Sequence, residues 1–282
     1  MTAPPFAIIG GGDSGSSPKD RSRSMIDVAS YLARLNYSGP TEPTAETLRA
    51  LHHAHLIAVP FENLDISLGR KIVTDENAIL NKVVNLRRGG FCYELNCAFA
   101  ALLRALGFRV TLLSARVARR DGGDGPEFDH LTLRVDLDEP WLADVGFGES
   151  FLEPLRLEPA LKRGLESGKE QSDPAGIFRL VQIGERLQME KAEPNGHWRP
   201  QYSFSPQPRR LEEFSAMCHY HQTSPESSFT QKRICSRATP GGRITLSEMR
   251  LIVTNKGQRE ERILASEEEW ISTIREQFGI TL

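Results

Sequence analysis

Apolar residues recur at helical spacing through the first third of the chain. Ile26, Val28, Tyr31 and Leu32 open the pattern, and Thr41 with Glu42-Pro43 supplies a helix start. Leu48, Leu51, Leu56 and Ile57 then form one apolar face. That helix is expected to stop before Pro60, because proline disfavours helical geometry in the residue ahead of it and has no N–H to donate. Val59-Pro60-Phe61-Glu62-Asn63-Leu64 therefore reads as a loop. A second strong helix opens near Cys92, carries Leu95, Phe99, Leu102, Leu103 and Leu106 in one stripe, and ends at Gly107.

Beyond Gly107 the helical period gives way to alternation. Arg109 to Leu113, Leu131 to Val135 and Trp141 to Val145 read as strands, Asp121 to Pro126 as a turn, and Phe178 to Gln182 and Gln201 to Phe204 as further short strands. A sheet or barrel fits that middle. The remainder mixes a helical Leu211 to Phe214, strands within Arg243 to Val253 and a closing helix over Ser266 to Phe278, which makes a small α/β unit. The first two dozen residues are rich in Gly, Ser and Pro with only a short apolar run, and read as a flexible tail or leftover extension.

Composition narrows the class without choosing a function. With 39% hydrophobic and 26% charged residues over 282 positions, the chain matches ordinary globular proteins. Thirty-five Lys and Arg against 37 Asp and Glu leave a net charge of -2, so there is no basic field for nucleic acid. No apolar run is long enough to span a membrane. Cys92, Cys97, Cys218 and Cys235 show no metal-type or redox-type spacing, and a chain of this size needs no disulfide framework. Free thiols and no signal peptide point to the cytoplasm. His52, His53 and His55 invite a metal reading, but no carboxylate or further histidine lies at ligand spacing, so no metal is expected.

The candidate chemistry centres on Cys92. A helix N-terminus favours anions, so a cysteine there has a more accessible thiolate, and Gly89-Gly90 just before it let the backbone turn sharply. Taken alone, Cys92 fits a buried structural cysteine as well as a nucleophile. A base follows at His130, which opens a strand in Phe128-Asp129-His130-Leu131-Thr132-Leu133. Pairing about a turn centred near Leu137 sets Asp144 directly opposite His130. Asp144 would then orient the imidazole and leave its other nitrogen to face Cys92.

Arg88-Gly89-Gly90-Phe91-Cys92-Tyr93-Glu94-Leu95-Asn96 resembles the cysteine motif RGGxCxExN of the arylamine N-acetyltransferases. Val59 to Leu64, Asp129-His130-Leu131, Asp144 to Gly148 and Ser224-Pro225 through Phe229 resemble the family's other signatures, in the same order. The resemblance runs from about Met25 to the C-terminus. It implies an α+β fold with a cysteine-protease-like Cys-His-Asp core: a helical bundle over 25–107, a β-barrel-like domain over 108–208 and an α/β lid over 209–282, behind the tail at 1–24. It implies the triad Cys92, His130 and Asp144, and a supporting pair, Glu62 with Arg88. Acetyl-CoA would be the co-substrate, an arylamine, arylhydrazine or hydrazide the acceptor, and an acetyl-cysteine the intermediate of a ping-pong reaction. Phe61, Tyr93 and the loop from Arg116 to Phe128 are candidates for the acceptor wall, since an aromatic ring buries well against aromatic faces. Two rival activities stay open: an amide synthase of the same family, closing macrolactams, and a transglutaminase-like cysteine hydrolase.

Overall fold

Helices begin where a side chain can take the first free N–H groups. In the computed structural model, which describes residues 26–119, 121–157 and 168–282, Asp27 caps α1 (Val28–Arg34) by accepting from Ser30 N–H at 3.0 Å. Thr44 caps α2 (Ala45–Ala58) in the same way, accepting from Thr47 N–H at 3.2 Å. This helix therefore starts later than Thr41 and Pro43 suggest. It stops where expected, with Val59 extended ahead of Pro60. The tail expected over 1–24 lies outside the described residues.

Next, α3 (Glu76–Leu80) runs into wider π-type turns over Asn81–Asn85, and then comes α4 (Cys92–Ala105). The sequence pattern suggests one apolar stripe on α4, yet 12 of its 14 residues are buried. Small residues at Ala98, Ala100 and Ala101 let neighbours approach on the remaining sides. It is the central helix, around which α1, α2 and α3 pack in one apolar cluster.

Thirteen strands are described: β1 (Phe61–Glu62), β2 (Arg109–Val117), β3 (His130–Asp136), β4 (Pro140–Ala143), β5 (Leu155–Arg156), β6 (Glu170–Asp173), β7 (Gly176–Ile183), β8 (Arg186–Ala192), β9 (Trp198–Arg209), β10 (Ile234–Thr239), β11 (Gly242–Ser247), β12 (Arg250–Asn255) and β13 (Gln258–Ile263). Eight of them form an antiparallel sheet in the order β5-β4-β3-β2-β9-β8-β7-β6. Its two edges meet through side chains: Gln171 on β6 bonds both the N–H (2.7 Å) and the carbonyl (3.1 Å) of Arg156 on β5. The sheet thus curls into a nearly closed barrel. Alternation sorts its faces. Leu131, Leu133 and Val135 of β3 pack towards α4, while Leu113, Phe178, Met189 and Phe204 fill the interior.

The second sheet, in the order β1-β10-β11-β12-β13, has α5 (Ser215–Thr223) ahead of β10 in the chain and α6 (Glu267–Phe278) after β13. Ser266 caps α6 and Gly279 ends it in left-handed geometry at φ 69°. Trp270, Ile274 and Phe278 of α6 bury against Leu246 and Cys235. Strand β1 comes from the loop after α2 yet pairs with β10, with Phe61 beside Ser236.

Candidate active site

Two glycines make room for the start of α4. A Cβ on Gly89 would meet the Pro60 carbonyl at 2.0 Å, and one on Gly90 would meet the Glu94 side chain at 2.7 Å. The bare backbone instead lets the Pro60 to Glu62 segment lie alongside, where Glu62 N–H donates to the Gly90 carbonyl at 2.8 Å. Cys92 is the first helical residue and is 4% exposed. Burial pushes its thiol well above the ordinary range; a backbone hydrogen bond at Leu131 opposes this, and the charges of Asp129 and Asp144 reinforce it. A thiolate here needs a cation beside it.

His130 opens β3, almost fully buried, and its Nε2 lies 2.7 Å from Asp144 Oδ2. The hairpin differs from expectation. Asp136 pairs with Pro140 and Val135 with Trp141, so the turn centres on Asp138 rather than Leu137, and β4 ends at Ala143. On that register Asp144 stands next to Thr132, not His130. The chain leaves the ladder at Asp144, and the carboxylate reaches His130 from the diagonal position. Its Oδ1 accepts from Asn96 Nδ2 (2.9 Å) and from Gly146 N–H (3.0 Å). Burial would raise the Asp144 carboxyl, but His130, Asn96 and Gly146 outweigh it and hold it below the usual carboxylate value.

Asn96 sits one helical turn beyond Cys92 and ties three pieces of the site. Besides Asp144 it donates to the Leu131 carbonyl at 2.6 Å and accepts from Val145 N–H at 2.9 Å. Asn96 belongs to the cysteine motif, where its i+4 spacing from Cys92 is the signal that points to a task beside that residue. Gly146 passes so close that a Cβ would lie 2.8 Å from Cys92 Cα and 2.7 Å from Asn96 Nδ2. Gly146→Ala is expected to lower stability by about 1–3 kcal/mol through overpacking. Its acetyl-transfer rate should fall further than that of a surface glycine variant of equal stability, as urea unfolding and activity assays side by side would show.

Glu62 and Arg88 do come together, in a larger buried cluster. Arg88 Nη2 lies 2.8 Å from Glu62 Oε1 and 3.0 Å from Asp65 Oδ1, while Lys82 Nζ lies 2.7 Å from both Asp65 Oδ2 and Glu94 Oε1. Glu94 Oε2 accepts from Phe91 N–H at 3.2 Å, which ties the cluster to the start of α4. Burial pushes Glu94 up to about 7, against the pull of Lys82. Burial also disfavours the charges of Lys82, Arg88 and Asp65, but their opposite-charge partners prevail: both cations are pushed up and Asp65 down. Lys82 and Asp65 carry no sequence signal that points here.

Of the two aromatic candidates, Tyr93 is fully buried and its hydroxyl donates to the Phe128 carbonyl at 2.7 Å. Phe61 is partly exposed, its ring 6.1 Å from Phe229. Phe147 and Tyr202, which the sequence analysis passes over, place their rings 5.2 Å from that of His130. His52 and His55 bond protein atoms, and no group of three metal-ligating side chains occurs among the described residues. No helix among the described residues is long and apolar enough to cross a membrane.

A family model described as N-acetyltransferase matches residues 44–282, which sets the chain in the class of acyltransferases. A chicken (Gallus gallus) pineal gland arylamine N-acetyltransferase is 36% identical, over 91% of this chain and 95% of its own length. The Salmonella typhimurium arylamine N-acetyltransferase / N-hydroxyarylamine O-acetyltransferase is 35% identical, over 89% and 87%. Among solved structures, the Salmonella typhimurium arylamine N-acetyltransferase superposes with a TM-score of 0.82 at 33% identity, covering 90% of each chain. The Mycobacterium marinum arylamine N-acetyltransferase in complex with CoA superposes at 0.81 with 31% identity, over 90% of this chain and 93% of that one. The chain belongs to the arylamine N-acetyltransferase family.

Proposed function

We propose that the protein transfers an acetyl group from acetyl-CoA to arylamines, arylhydrazines or hydrazides in a ping-pong reaction, with Cys92 as carrier, His130 as base and Asp144 as its orienter. The observation that carries this reading is the 2.7 Å contact of His130 Nε2 with Asp144, held beside a helix-start cysteine by Asn96. Asp144 fixes the proton on Nε2 and leaves the lone pair on Nδ1. His130 Nδ1 takes the Cys92 proton as sulfur attacks the thioester carbonyl, and the resulting imidazolium is the cation that a buried thiolate requires. Backbone N–H groups at the start of α4 are the candidate donors to the oxyanion. The tetrahedral adduct collapses by breaking the bond to the coenzyme A sulfur, which takes the proton back from His130 and leaves acetyl-Cys92.

The acceptor amine then attacks that second thioester. His130 removes its proton and the Cys92 sulfur departs. Aromatic amines suit this step because they are neutral, and so nucleophilic, near pH 7. The bound CoA of the Mycobacterium marinum relative supports the donor assignment, and four free, buried cysteines fit a reducing cytoplasm. The eight-stranded sheet standing between the helices and the second sheet supports a division near 107 and 208, which β1 (Phe61–Glu62) crosses to pair with β10.

Intact mass after incubation with acetyl-CoA alone tests the reading. One acetyl group is expected on the wild type, none on Cys92→Ala, and its loss on adding an arylamine such as an anisidine. An unmodified wild type would sink the reading and favour an amide synthase or a cysteine hydrolase.

A further inference from the structure

The loop that follows β4 passes directly against Cys92, yet no strand holds it. Pairing ends at Ala143 and resumes at Leu155. Between them stand Asp144, Gly146 against the Cys92 backbone, and Phe147 beside His130. Its backbone groups are satisfied largely by side chains: Val145 N–H by Asn96, Gly146 N–H by Asp144, Leu152 N–H by Asp173. Two further anchors belong to one residue. His52 of α2 accepts from Asp144 N–H through Nε2 at 3.1 Å and bonds the Leu152 carbonyl through Nδ1 at 2.8 Å.

We propose that His52 is a positioning residue, which clamps the loop at Asp144 and at Leu152 and thereby sets the carboxylate that orients His130. The proposal rests on the assignment of Cys92, His130 and Asp144 made above. Its geometry is demanding. An amide N–H can only donate, so Nε2 must offer its lone pair, and the proton sits on Nδ1, where it donates to Leu152. The ring is held flat against Phe151 (centroids 5.7 Å apart, planes at 14°) and edge-on to Phe99 (5.9 Å, 74°), and it is wholly buried. A protonated ring would turn an N–H onto the Asp144 N–H. Burial guards against that by lowering the ring to about 4, opposed by the Leu152 bond and by the charges of Asp144 and of Asp173 on β6. His55, three residues further along α2, is likewise held neutral by burial.

His55 offers an internal control, since it is just as buried on the same helix but bonds Tyr31 Oη, at 3.0 Å, and makes no hydrogen bond to the loop among the described residues. His52→Asn keeps a donor at the depth of Nδ1 and loses the acceptor for Asp144, whereas His52→Gln puts an amide oxygen at the depth of Nε2. The readout is single-turnover acetylation of Cys92 by p-nitrophenyl acetate across pH, followed by nitrophenolate release alongside thermal melts. His52→Asn is expected to slow acetylation about 10- to 100-fold, the scale seen when groups that orient an active-site ligand are removed. Its acid-side midpoint should move to lower pH, because a loosened carboxylate favours the imidazolium less. His52→Gln should recover most of both. His55→Asn should melt earlier with an unmoved profile.

A His52→Asn profile that keeps the wild-type rate and midpoint would overturn the proposal. A wild type that takes no acetyl on Cys92 would show instead that the triad assignment itself had failed. Should the asparagine variant not fold, nitrogen NMR of histidine-labelled wild type decides. An Nδ1–H tautomer that stays neutral down to acid pH supports the clamp, and an Nε2–H tautomer refutes it.

Discussion

Asp144→Asn is expected to slow Cys92 acetylation by about 10³- to 10⁴-fold while the protein stays folded, the scale at which an orienting aspartate acts in a nucleophile–His–Asp site. The reason lies in how the carboxylate is occupied. One oxygen, Oδ1, receives two donors, Asn96 Nδ2 and Gly146 N–H, and the other receives His130. An asparagine has one oxygen to offer, and two donors on one side hold it there. Its NH2 then points at His130 Nε2, which must become the acceptor. The imidazole proton moves to Nδ1, the nitrogen needed to take the thiol proton. Geometry survives and the tautomer is wrong. Rapid-quench measurement of acetyl-Cys92 formation checks this, and a variant acetylating within a factor of about ten of wild type would remove Asp144 from the orienting role. Adding Asn96→Asp, which removes one of the two donors, should not restore the rate, because the Gly146 N–H still claims the oxygen.

Local signals made the centre of this site readable, and non-local contacts hid its surroundings. Cys92 and the glycines before it lie in one short run, and His130 and Asp144 belong to one hairpin, so pattern and turn logic bring them near each other. The error in that logic was the turn itself: Pro140 begins β4 and the turn centres on Asp138, and the diagonal reach of a carboxylate absorbed the slip. Strand β8 gives only a weak strand signal although Leu187 and Met189 alternate inwards, because its other face is Arg186, Gln188 and Glu190, residues that strands use sparingly. The start of α2 was misplaced because Thr41 and Thr44 are equally good caps on paper, and only Thr44 has a free N–H in reach. Lys82 and Asp65 carry no signal, and the histidine cluster that holds His52 suggests a metal rather than this contact. Each matters through a partner that only the tertiary fold supplies, and His52 lies 92 residues from the N–H it accepts.

Arg88→Met tests the buried charges on which the start of α4 rests. It is expected to cost about 3–5 kcal/mol, the range for removing one member of a buried ion pair, because Glu62 and Asp65 would then share Lys82 as their buried cation, with only the exposed Arg70, 3.9 Å from Asp65, to add to it. The pH dependence carries more information than the size. Glu94 is raised from 4.5 to about 7, so between those values the folded protein holds a proton that the unfolded chain has released, and stability falls as pH rises through that window. Asp65 works oppositely: its lowered carboxyl contributes stability above its ordinary 3.8, lost only as pH falls below that value, outside the window of Glu94. Removing the Arg88 cation leaves the carboxyl groups in excess, which favours the proton on Glu94 further. The variant should therefore recover part of its loss on acidification, with a urea midpoint closer to wild type at a pH of about 5.5 than at about 8. Equal deficits at both pH values would mean that Glu94 does not buffer the cluster. If the deficit instead widened on acidification, the carboxylates would be relieved elsewhere and the coupling between Arg88 and Glu94 across Asp65 and Lys82 would be refuted.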